Sequence, residues 1–296
     1  MTENHRASAA DPFPVERPTS CDRPSPDDLL RARWGREPEF TPETWNPVLD
    51  TILSHRSVRL WQEKEVSEAA IRTVAAAAQS GSTSSHKQMT SVVAVRNQQT
   101  KAELAEVGGP KQARHIASAP VVLVWLIDTS RIRASAQRHG TEYAARNYLN
   151  EAMIAASDVG IAAQTAALAA ESMGLGVVFL GSLRNDAERV AQLLQLPDHV
   201  IPFLGMELGH PDPAEPAGVK PRLPQSSFLH WETYDEKEAV APIEEYDEAI
   251  SRYFARYGKD RRWSAQMSQR VSETAFAHDK RREIRRVFEK AGFRLS

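Results

Sequence analysis

The densest set of chemically useful side chains in the sequence is His55-Arg56-Ser57-Val58-Arg59. It places two guanidinium groups, an imidazole and a hydroxyl within five residues. Arginine offers a fixed fork of N–H donors that matches the oxygens of a phosphate monoester. The segment therefore indicates a phosphate site, although these five residues taken alone fit a solvated basic patch better.

A second pair of cations lies in Lys220-Pro221-Arg222-Leu223-Pro224. The prolines stiffen the backbone, and side chains two residues apart share one side of an extended chain. Two rigidly held cations again suit a phosphate, and an ordinary basic surface segment is the alternative.

Small hydroxyl residues fill the segment 80–88, which we name the hydroxyl loop. It lies between a predicted helix over 67–79 and a predicted strand over 91–95. Its hydroxyl groups and the Gln88 amide could wrap a polar ligand, whereas a flexible linker is the alternative. The position between two regular elements favours an ordered site.

Glycines surround the apolar segment 177–180. Gly174 and Gly176 precede it, and Gly181-Ser182 follow it. A dinucleotide-binding fingerprint runs strand, glycines, helix, whereas here the first glycines follow a helix and precede a strand. The order excludes a Rossmann site, and the turn after residue 180 could present backbone N–H groups to a flat ligand.

Capping residues mark the helices that position these segments. Asn46-Pro47 begin a short helix that ends just before His55, and Ser67 caps the helix over 67–79. Asn185 and Glu188 form an N-cap and N3 pair for a helix over 186–196.

The remaining elements alternate along the chain, which predicts helices covering a sheet in an α/β or α+β architecture. The longest helix, 150–173, is apolar nearly all round, so it must be buried as a central helix or shared with a second subunit. The predicted strands cover 91–95, 121–127, 177–180 and 202–208. Helices over 244–257 and 272–291 form a C-terminal helical region, 244–296.

The totals exclude several classes of protein. The chain has 296 residues, which allows one large domain or two small ones, and 41% hydrophobic residues suffice for a core. A net charge of −2 does not indicate nucleic-acid binding. One cysteine, Cys21, excludes an internal disulfide framework and a cysteine metal site. No apolar run approaches the roughly 18 residues of a membrane helix, and no signal peptide is recognisable, so we expect a soluble cytoplasmic protein.

Residues 1–45 differ from the remainder in composition. They are poor in apolar residues and carry seven prolines, at positions 12, 14, 18, 24, 26, 38 and 42. We expect a disordered or loosely packed arm, in which Leu29, Leu30 and Trp34 could dock as one helical turn. The folded domain then covers 46–296.

Four motifs together resemble those of bacterial nitroreductases, and more narrowly the oxygen-insensitive NADPH nitroreductases of group A and the related NADPH-flavin reductases. The motifs occupy 55–59, 169–185, 208–211 and 220–224, and the resemblance covers about 47–293. It implies an α+β fold with a central mixed sheet flanked by helices, and a homodimer that binds FMN at the subunit interface.

The resemblance also implies roles for individual residues. At the phosphate end of FMN it places His55, Arg56, Ser57, Arg59, Lys220 and Arg222. Along the isoalloxazine ring it places Phe179, Leu180, Gly181 and Ser182. In the loop beside the flavin, from the other subunit, it places Ser84, Ser85 and Gln88.

Further implied roles concern the two substrates. Arg256 and Arg261 match arginines that favour the 2′-phosphate of NADPH. Ser85, His86 and Arg281 match positions near the electron acceptor. Pro110 stands where the group usually has a flavin-facing glutamine, and His86 replaces an aromatic or apolar residue. The C-terminal helix carries a short insertion, which bears on Arg281. These departures bear on the identity of the electron acceptor more than on the identity of the cofactor.

The implied activity is an NADPH-dependent FMN oxidoreductase that reduces nitroaromatics, quinones or flavins in a ping-pong, two-electron reaction. The flavin carries the chemistry, so no catalytic side chain and no metal are expected. The expected partners are a second copy of the chain and a small-molecule electron acceptor, without nucleic acid or membrane. One alternative is a flavin reductase that hands reduced FMN to a partner. Another is a flavin-binding sensor or carrier whose arm covers the pocket.

Overall fold

The computed structural model describes residues 24–276 and 280–296, so Cys21 and most of the predicted arm lie outside the described residues. The chain divides into two compact units. Unit 1 comprises Met1–Arg56 and Pro216–Ala275, and unit 2 comprises Ser57–Glu215 and Phe276–Ser296.

The described residues form helices and one four-stranded sheet. The strands are β1 Thr90–Val95, β2 Val121–Asp128, β3 Gly176–Leu180 and β4 Val200–Gly209. The helices are α1 Pro26–Trp34, α2 Pro47–Leu53, α3 Glu68–Gln79, α4 Gln98–Gly108, α5 Ala113–Ser118, α6 Ser130–Arg138, α7 Leu149–Ser172, α8 Ala187–Leu193, α9 Glu236–Val240, α10 Ile243–Ala255, α11 Trp263–Arg270, α12 Glu273–Phe276 and α13 Ile284–Lys290.

Helix α1 contains the residues predicted to dock, Leu29, Leu30 and Trp34, and is longer than the single helical turn suggested for them. Ser25 and Asp28 form a capping box, in which the Asp28 N–H donates to Ser25 Oγ and the Ser25 N–H to Asp28 Oδ2. Gly35 ends the helix with φ +68°. Leu29 and Leu30 are only 2% and 1% exposed. The caps and the two buried leucines outweigh the prolines around them, so this stretch is a capped helix with a buried face.

The sheet of unit 2 has the strand order β1-β2-β4-β3, and every neighbouring pair is antiparallel. Strand β2 is buried along its whole length, as its continuous apolar run predicted. Parallel pairing in the described residues is confined to an isolated bridge between Ser57 and Val177, so the predicted mixed character of the sheet is slight.

Helix α7 confirms the predicted long helix to within one residue at each end but is not buried all round. Its alanines pack into the core of unit 2, together with Val159. An apolar stripe remains exposed, formed by Leu149, Met153 and Ile161. By length and composition alone α7 could cross a membrane, but buried Glu151 and Asp158 lie on it and accept hydrogen bonds from the hydroxyl loop. It is therefore a core helix with one uncovered face.

Two predicted helices differ from the structure. The cap of α8 is Asp186, whose carboxylate accepts from the Arg189 N–H, because Asn185 is engaged elsewhere. The single helix predicted over 272–291 is divided into α12, a 3-10 turn at Lys280–Glu283, and α13, with 277–279 outside the described residues.

Candidate functional site

The basic segments of unit 1 are organised by Arg33, a residue of α1 that is only 8% exposed. Its guanidinium donates to the carbonyl oxygens of Leu53 and His55 at 2.7 and 2.9 Å and to that of Lys220 at 3.0 Å. Its own carbonyl accepts from the Arg222 N–H at 2.7 Å. One buried arginine thus ties the end of α2 to the Lys-Pro-Arg segment, about 165 residues later in the chain.

Further contacts fix the same two segments. Arg56 donates to the Ala217 carbonyl at 2.7 Å. The buried hydroxyls of Tyr246 and Tyr253 donate to the carbonyls of Pro221 and Gly218, both at 3.1 Å. The structure therefore brings together the backbones of His55, Lys220 and Arg222 and the guanidinium of Arg56, four of the predicted phosphate residues.

The two arginines predicted for NADPH follow α10 in unit 1. The guanidinium of Arg261 lies 5.0 Å from the centroid of the Phe254 ring, and the Lys220 ammonium lies 5.6 Å from the same ring. Arg256 is the C-cap residue of α10. Burial is the main factor that raises the pKa of Tyr253, and the Arg256 charge opposes that rise. Arg261 and Lys220 therefore contact the same aromatic ring.

Ser57 and Arg59 begin unit 2. The Val58 N–H donates to the Val177 carbonyl at 3.0 Å, next to the Ser57 bridge, so this segment runs beside the start of β3. The N–H groups of Arg59 and Leu60 donate to one oxygen of buried Glu215, at 2.6 and 2.7 Å. The backbone of Arg59 is thereby fixed by a charge-assisted pair of hydrogen bonds.

The glycine turn, Gly181–Asp186, follows β3 as a 3-10 helix. Ser182 is buried and donates to Gln112 Oε1 at 2.9 Å, and Arg184 donates to the Phe203 carbonyl at 2.9 Å. A side chain on Gly181 would lie 3.3 Å from Arg184 Nη2, so the glycine allows close approach to that guanidinium. Phe179 and Leu180 lead into the turn from β3.

Arg281 contacts the glycine turn. Its Nε donates to Asn185 Oδ1 at 2.8 Å, and the Asn185 amide donates to the Val107 carbonyl at 3.2 Å. Burial lowers the pKa of Arg184, and the neighbouring Arg281 charge lowers it further. The predicted acceptor residue Arg281 and the predicted ring-contacting residues thus lie together in unit 2.

The hydroxyl loop is the most strained part of the described chain. Ser85, His86 and Gln88 have φ values of +50°, +53° and +53°. These are three of the six non-glycine residues with positive φ among the described residues. Such conformations cost L-residues about 1–3 kcal/mol each and cluster at functional sites. The loop is an ordered 3-10 turn over Ser84–His86, which favours the ligand-site interpretation over a flexible linker.

Some predicted residues are not brought into contact. Within the described part of unit 2, no hydrogen bond or ion pair joins Ser84, Ser85, His86 or Gln88 to the glycine turn. The Gln88 amide instead lies 3.2 Å from His86 Nε2. The hydroxyl loop is held by Glu151 and Asp158 of α7, whereas the glycine turn is held by Gln112 and the Phe203 carbonyl.

Sequence reasoning missed four residues that position the site. Arg33 lay in the predicted arm, and Glu151 and Asp158 were hidden in an apolar helix. Gln112 follows Pro110 by two residues and supplies the amide that contacts Ser182. The acidic residues of a helix that is otherwise rich in alanine were the one available signal, because such groups are buried only when they are paired.

Comparisons with known proteins identify the family. The model of the nitroreductase family matches residues 52–210, and that of its C-terminal domain matches residues 220–296. The FMN reductase [NAD(P)H] of Bacillus subtilis (strain 168) is 33% identical over 84% of this chain and 99% of that protein. An NADPH-dependent oxidoreductase of Staphylococcus aureus (strain MRSA252) is 35% identical over 74% of this chain and 89% of its own. The solved structure of the NADPH:FMN oxidoreductase from Vibrio harveyi, complexed with NAD+, has a TM-score of 0.72 at 34% identity, covering 85% of this chain and all of that one.

Proposed function

This chain belongs to the nitroreductase family, and on that premise we propose that it is an FMN-dependent NAD(P)H oxidoreductase. Its substrates are small-molecule electron acceptors of the nitroaromatic, quinone or flavin class. The relatives named above are an FMN reductase, an NADPH-dependent oxidoreductase and an NADPH:FMN oxidoreductase, and all three names support this assignment.

The observation that carries the proposal is the pair of basic segments joined by Arg33. Arg33 fixes the backbones of two segments that lie about 165 residues apart in sequence. Both segments carry cationic side chains. Arg33 is buried and makes four hydrogen bonds with backbone groups of the two segments. These bonds indicate that the fold of unit 1 holds the two segments in a defined relative position. The donor set of guanidinium, ammonium and imidazole groups is the one that a terminal phosphate needs. The residues present therefore fit the phosphate of FMN.

The residues that would hold the cofactor come from the segments described above. The phosphate would be bound by His55, Arg56, Ser57, Arg59, Lys220 and Arg222. The ring would contact Phe179, Leu180, Gly181 and Ser182, with Ser84, Ser85 and Gln88 beside it. When bound, FMN supplies the transfer of two electrons between NADPH and the acceptor.

The chain's own contribution is binding and orientation. Arg256 and Arg261 select NADPH through its 2′-phosphate, and Ser85, His86 and Arg281 contact the acceptor. We assign no side-chain acid or base. A single shared binding position for the reductant and the acceptor gives ping-pong kinetics, because the first product must leave before the second substrate binds.

We further propose a soluble homodimer in the cytoplasm, built on the exposed stripe of α7. Leu149, Met153 and Ile161 are 50%, 60% and 42% exposed on a helix whose opposite face is core. An apolar stripe of this kind is typical of a protein interface. The double substitution Met153→Glu and Ile161→Glu should give monomers in sedimentation velocity. The control substitution Val271→Glu, at an exposed position outside α7, should leave the dimer intact. A wild-type chain that is folded, contains FMN and sediments as a monomer would contradict the dimer.

The cofactor assignment is tested by purifying the protein and identifying its bound flavin, then following NADPH oxidation with a nitroaromatic and a quinone. The double variant Arg59→Ala/Arg222→Ala should be largely free of FMN, since hydrogen bonds to charged groups contribute about 1.5–3 kcal/mol each. Exposed Arg72→Ala is the matched control. Stoichiometric FMN in the double variant would refute the role of these two arginines.

A second candidate is a flavin reductase that releases reduced FMN to another protein. It is favoured by the relatives named FMN reductase [NAD(P)H] and NADPH:FMN oxidoreductase. Retention of one FMN per chain through many turnovers would exclude it, whereas turnover that requires added FMN would support it. A flavin-containing protein that no pyridine nucleotide reduces would instead support the sensor or carrier.

A further inference from the structure

The strained backbone of the hydroxyl loop is maintained by contacts from outside the loop. Three of its residues adopt positive φ, and strain of this kind persists only when the surroundings impose it. Ser85, His86 and Gln88 are exposed, whereas Lys87 between them is half-buried. The side chains predicted to face ligands therefore point outwards, and the remaining one faces the protein.

The ammonium of Lys87 contacts Glu151 Oε2 at 2.5 Å. Glu151 belongs to the first turn of α7 and is 2% exposed. Its second oxygen, Oε1, accepts from the Tyr143 hydroxyl at 2.7 Å. Burial and the Glu151 charge both raise the pKa of Tyr143, so this hydroxyl keeps its proton and remains a donor. Both oxygens of a buried carboxylate are thus satisfied, one of them by the loop itself.

Two further contacts hold the backbone on either side of Lys87, at Ser84 and at Gln88. The Ser84 N–H donates to Oδ1 of buried Asp158 at 3.0 Å. Arg131 donates twice to the Gln88 carbonyl, at 3.0 and 2.8 Å. The contact of Lys87 is therefore the middle one of three along residues 84–88. Among these five residues, Lys87 is the one whose side chain forms an ion pair with another described residue.

We propose that Lys87 is a positioning residue: its ion pair with Glu151 holds the hydroxyl loop in the conformation that presents Ser85, His86 and Gln88 to FMN and the electron acceptor. The inference rests on the proposed function. Lys87 acts through the loop and does not contact the cofactor. A buried carboxylate attracts the ammonium strongly because little water competes, so the pair can outweigh the backbone strain.

The test compares Lys87→Met with Lys87→Arg, which keeps the charge, and with Lys64→Met, which makes the same change at an exposed lysine. In Lys87→Met we expect the FMN Kd and the acceptor KM to rise roughly tenfold to a hundredfold, as when binding groups lose their alignment. Lys87→Arg should restore most of both values, and Lys64→Met should match the wild type. Amide hydrogen exchange at residues 84–88 of the FMN-free protein should accelerate in Lys87→Met alone.

Other outcomes separate the inference from the proposed function. A wild type that binds no FMN would refute the function, whereas unchanged amide exchange in Lys87→Met would refute the positioning role. A lower Tm with unchanged FMN Kd and acceptor KM would show a purely structural ion pair and overturn the inference. If Lys87→Met does not fold, the double variant Lys87→Met/Glu151→Gln removes the unpaired buried charge. It should fold and still show the weak FMN binding, and wild-type affinity there would overturn the inference.

Discussion

The hydroxyl loop and the glycine turn are positioned by different means. The loop has strained backbone angles and depends on charged side chains from outside it, above all Glu151, Asp158 and Arg131. The glycine turn continues directly from β3, whose register with β4 fixes it through backbone pairing. The comparison indicates that the loop should be sensitive to single charges and pH, whereas the turn should be sensitive to added volume.

The largest effect is expected under the glycine turn, at Gly205. A Cβ there would lie 2.6 Å from Leu183 Cδ1 and 3.0 Å from Leu180 Cβ. Gly205→Ala should therefore lower the free energy of unfolding by about 3 kcal/mol, near the upper end for overpacking. Urea denaturation measures this, with Gly160→Ala as the control because, apart from its chain neighbours and the backbone of its own helix, no atom lies within 4 Å of a Cβ at that glycine. Equal stability of the two variants would contradict positioning by strand packing.

The next effect concerns the anchor of the loop at Asp158. Asp158→Ala removes the acceptor for the Ser84 N–H and should cost about 2 kcal/mol, the range for a hydrogen bond to a charged group. Asp158→Asn keeps an acceptor oxygen and should cost clearly less. Amide exchange at residue 84 and urea denaturation measure the two variants. A loss as large in Asp158→Asn as in Asp158→Ala would mean that the charge matters and the hydrogen bond does not.

A smaller effect is expected for Ser182→Ala in the glycine turn. It removes a neutral hydrogen bond to Gln112 and should cost about 1 kcal/mol. Because β3 still fixes the turn, we expect the FMN Kd to change less than in Lys87→Met. Fluorescence titration with FMN decides the point, and a larger rise in Kd in Ser182→Ala would reverse the comparison.

The smallest expected effect is a pH dependence of stability that arises from Asp128. Asp128 accepts a hydrogen bond from Arg131, and Arg131 in turn donates to the Gln88 carbonyl of the loop. Burial raises the pKa of Asp128, but hydrogen bonds from Ser130 and Ser91 and the Arg131 charge outweigh it, so the pKa lies below its usual value. A carboxyl group with a lowered pKa stabilises the fold above its unfolded pKa of about 3.9. That stability is lost as the pH falls through the lower, folded pKa.

The expected result is a decline in stability below about pH 4 that is weaker in Asp128→Asn. Thermal denaturation of both proteins between neutral and acid pH measures the difference. Parallel pH profiles for wild type and variant would show that this carboxylate contributes nothing to the acid sensitivity.

Local sequence signals sufficed for several parts of the fold. Asn46-Pro47 and Ser67 begin helices in the structure as their capping chemistry requires. The continuous apolar run of β2 is a central buried strand, and the four-motif resemblance to nitroreductases is confirmed by the family models. These features depend on residues close together in sequence or on motif order, and both are visible without coordinates.

Other features depended on contacts between distant residues. Asn185 has the chemistry of an N-cap, yet Asp186 caps α8 because the Asn185 side chain is bonded to Val107 and Arg281. Arg33 lay in a proline-rich arm, and only the folded unit shows its guanidinium on three carbonyl groups from two other segments.

By itself the sequence determined the family, the starts of α2 and α3, the central strand and the residue types available for a phosphate and a flavin. It did so because capping, hydrophobic periodicity and motif spacing are local properties. The tertiary structure decided which residues hold those groups in place. The ion pair of Lys87 with Glu151 joins residues 64 positions apart, and the hydrogen bond from Arg33 to Lys220 joins residues 187 positions apart. Pairings at such separations arise only when the core brings the segments together, because an unfolded chain keeps these charges in water.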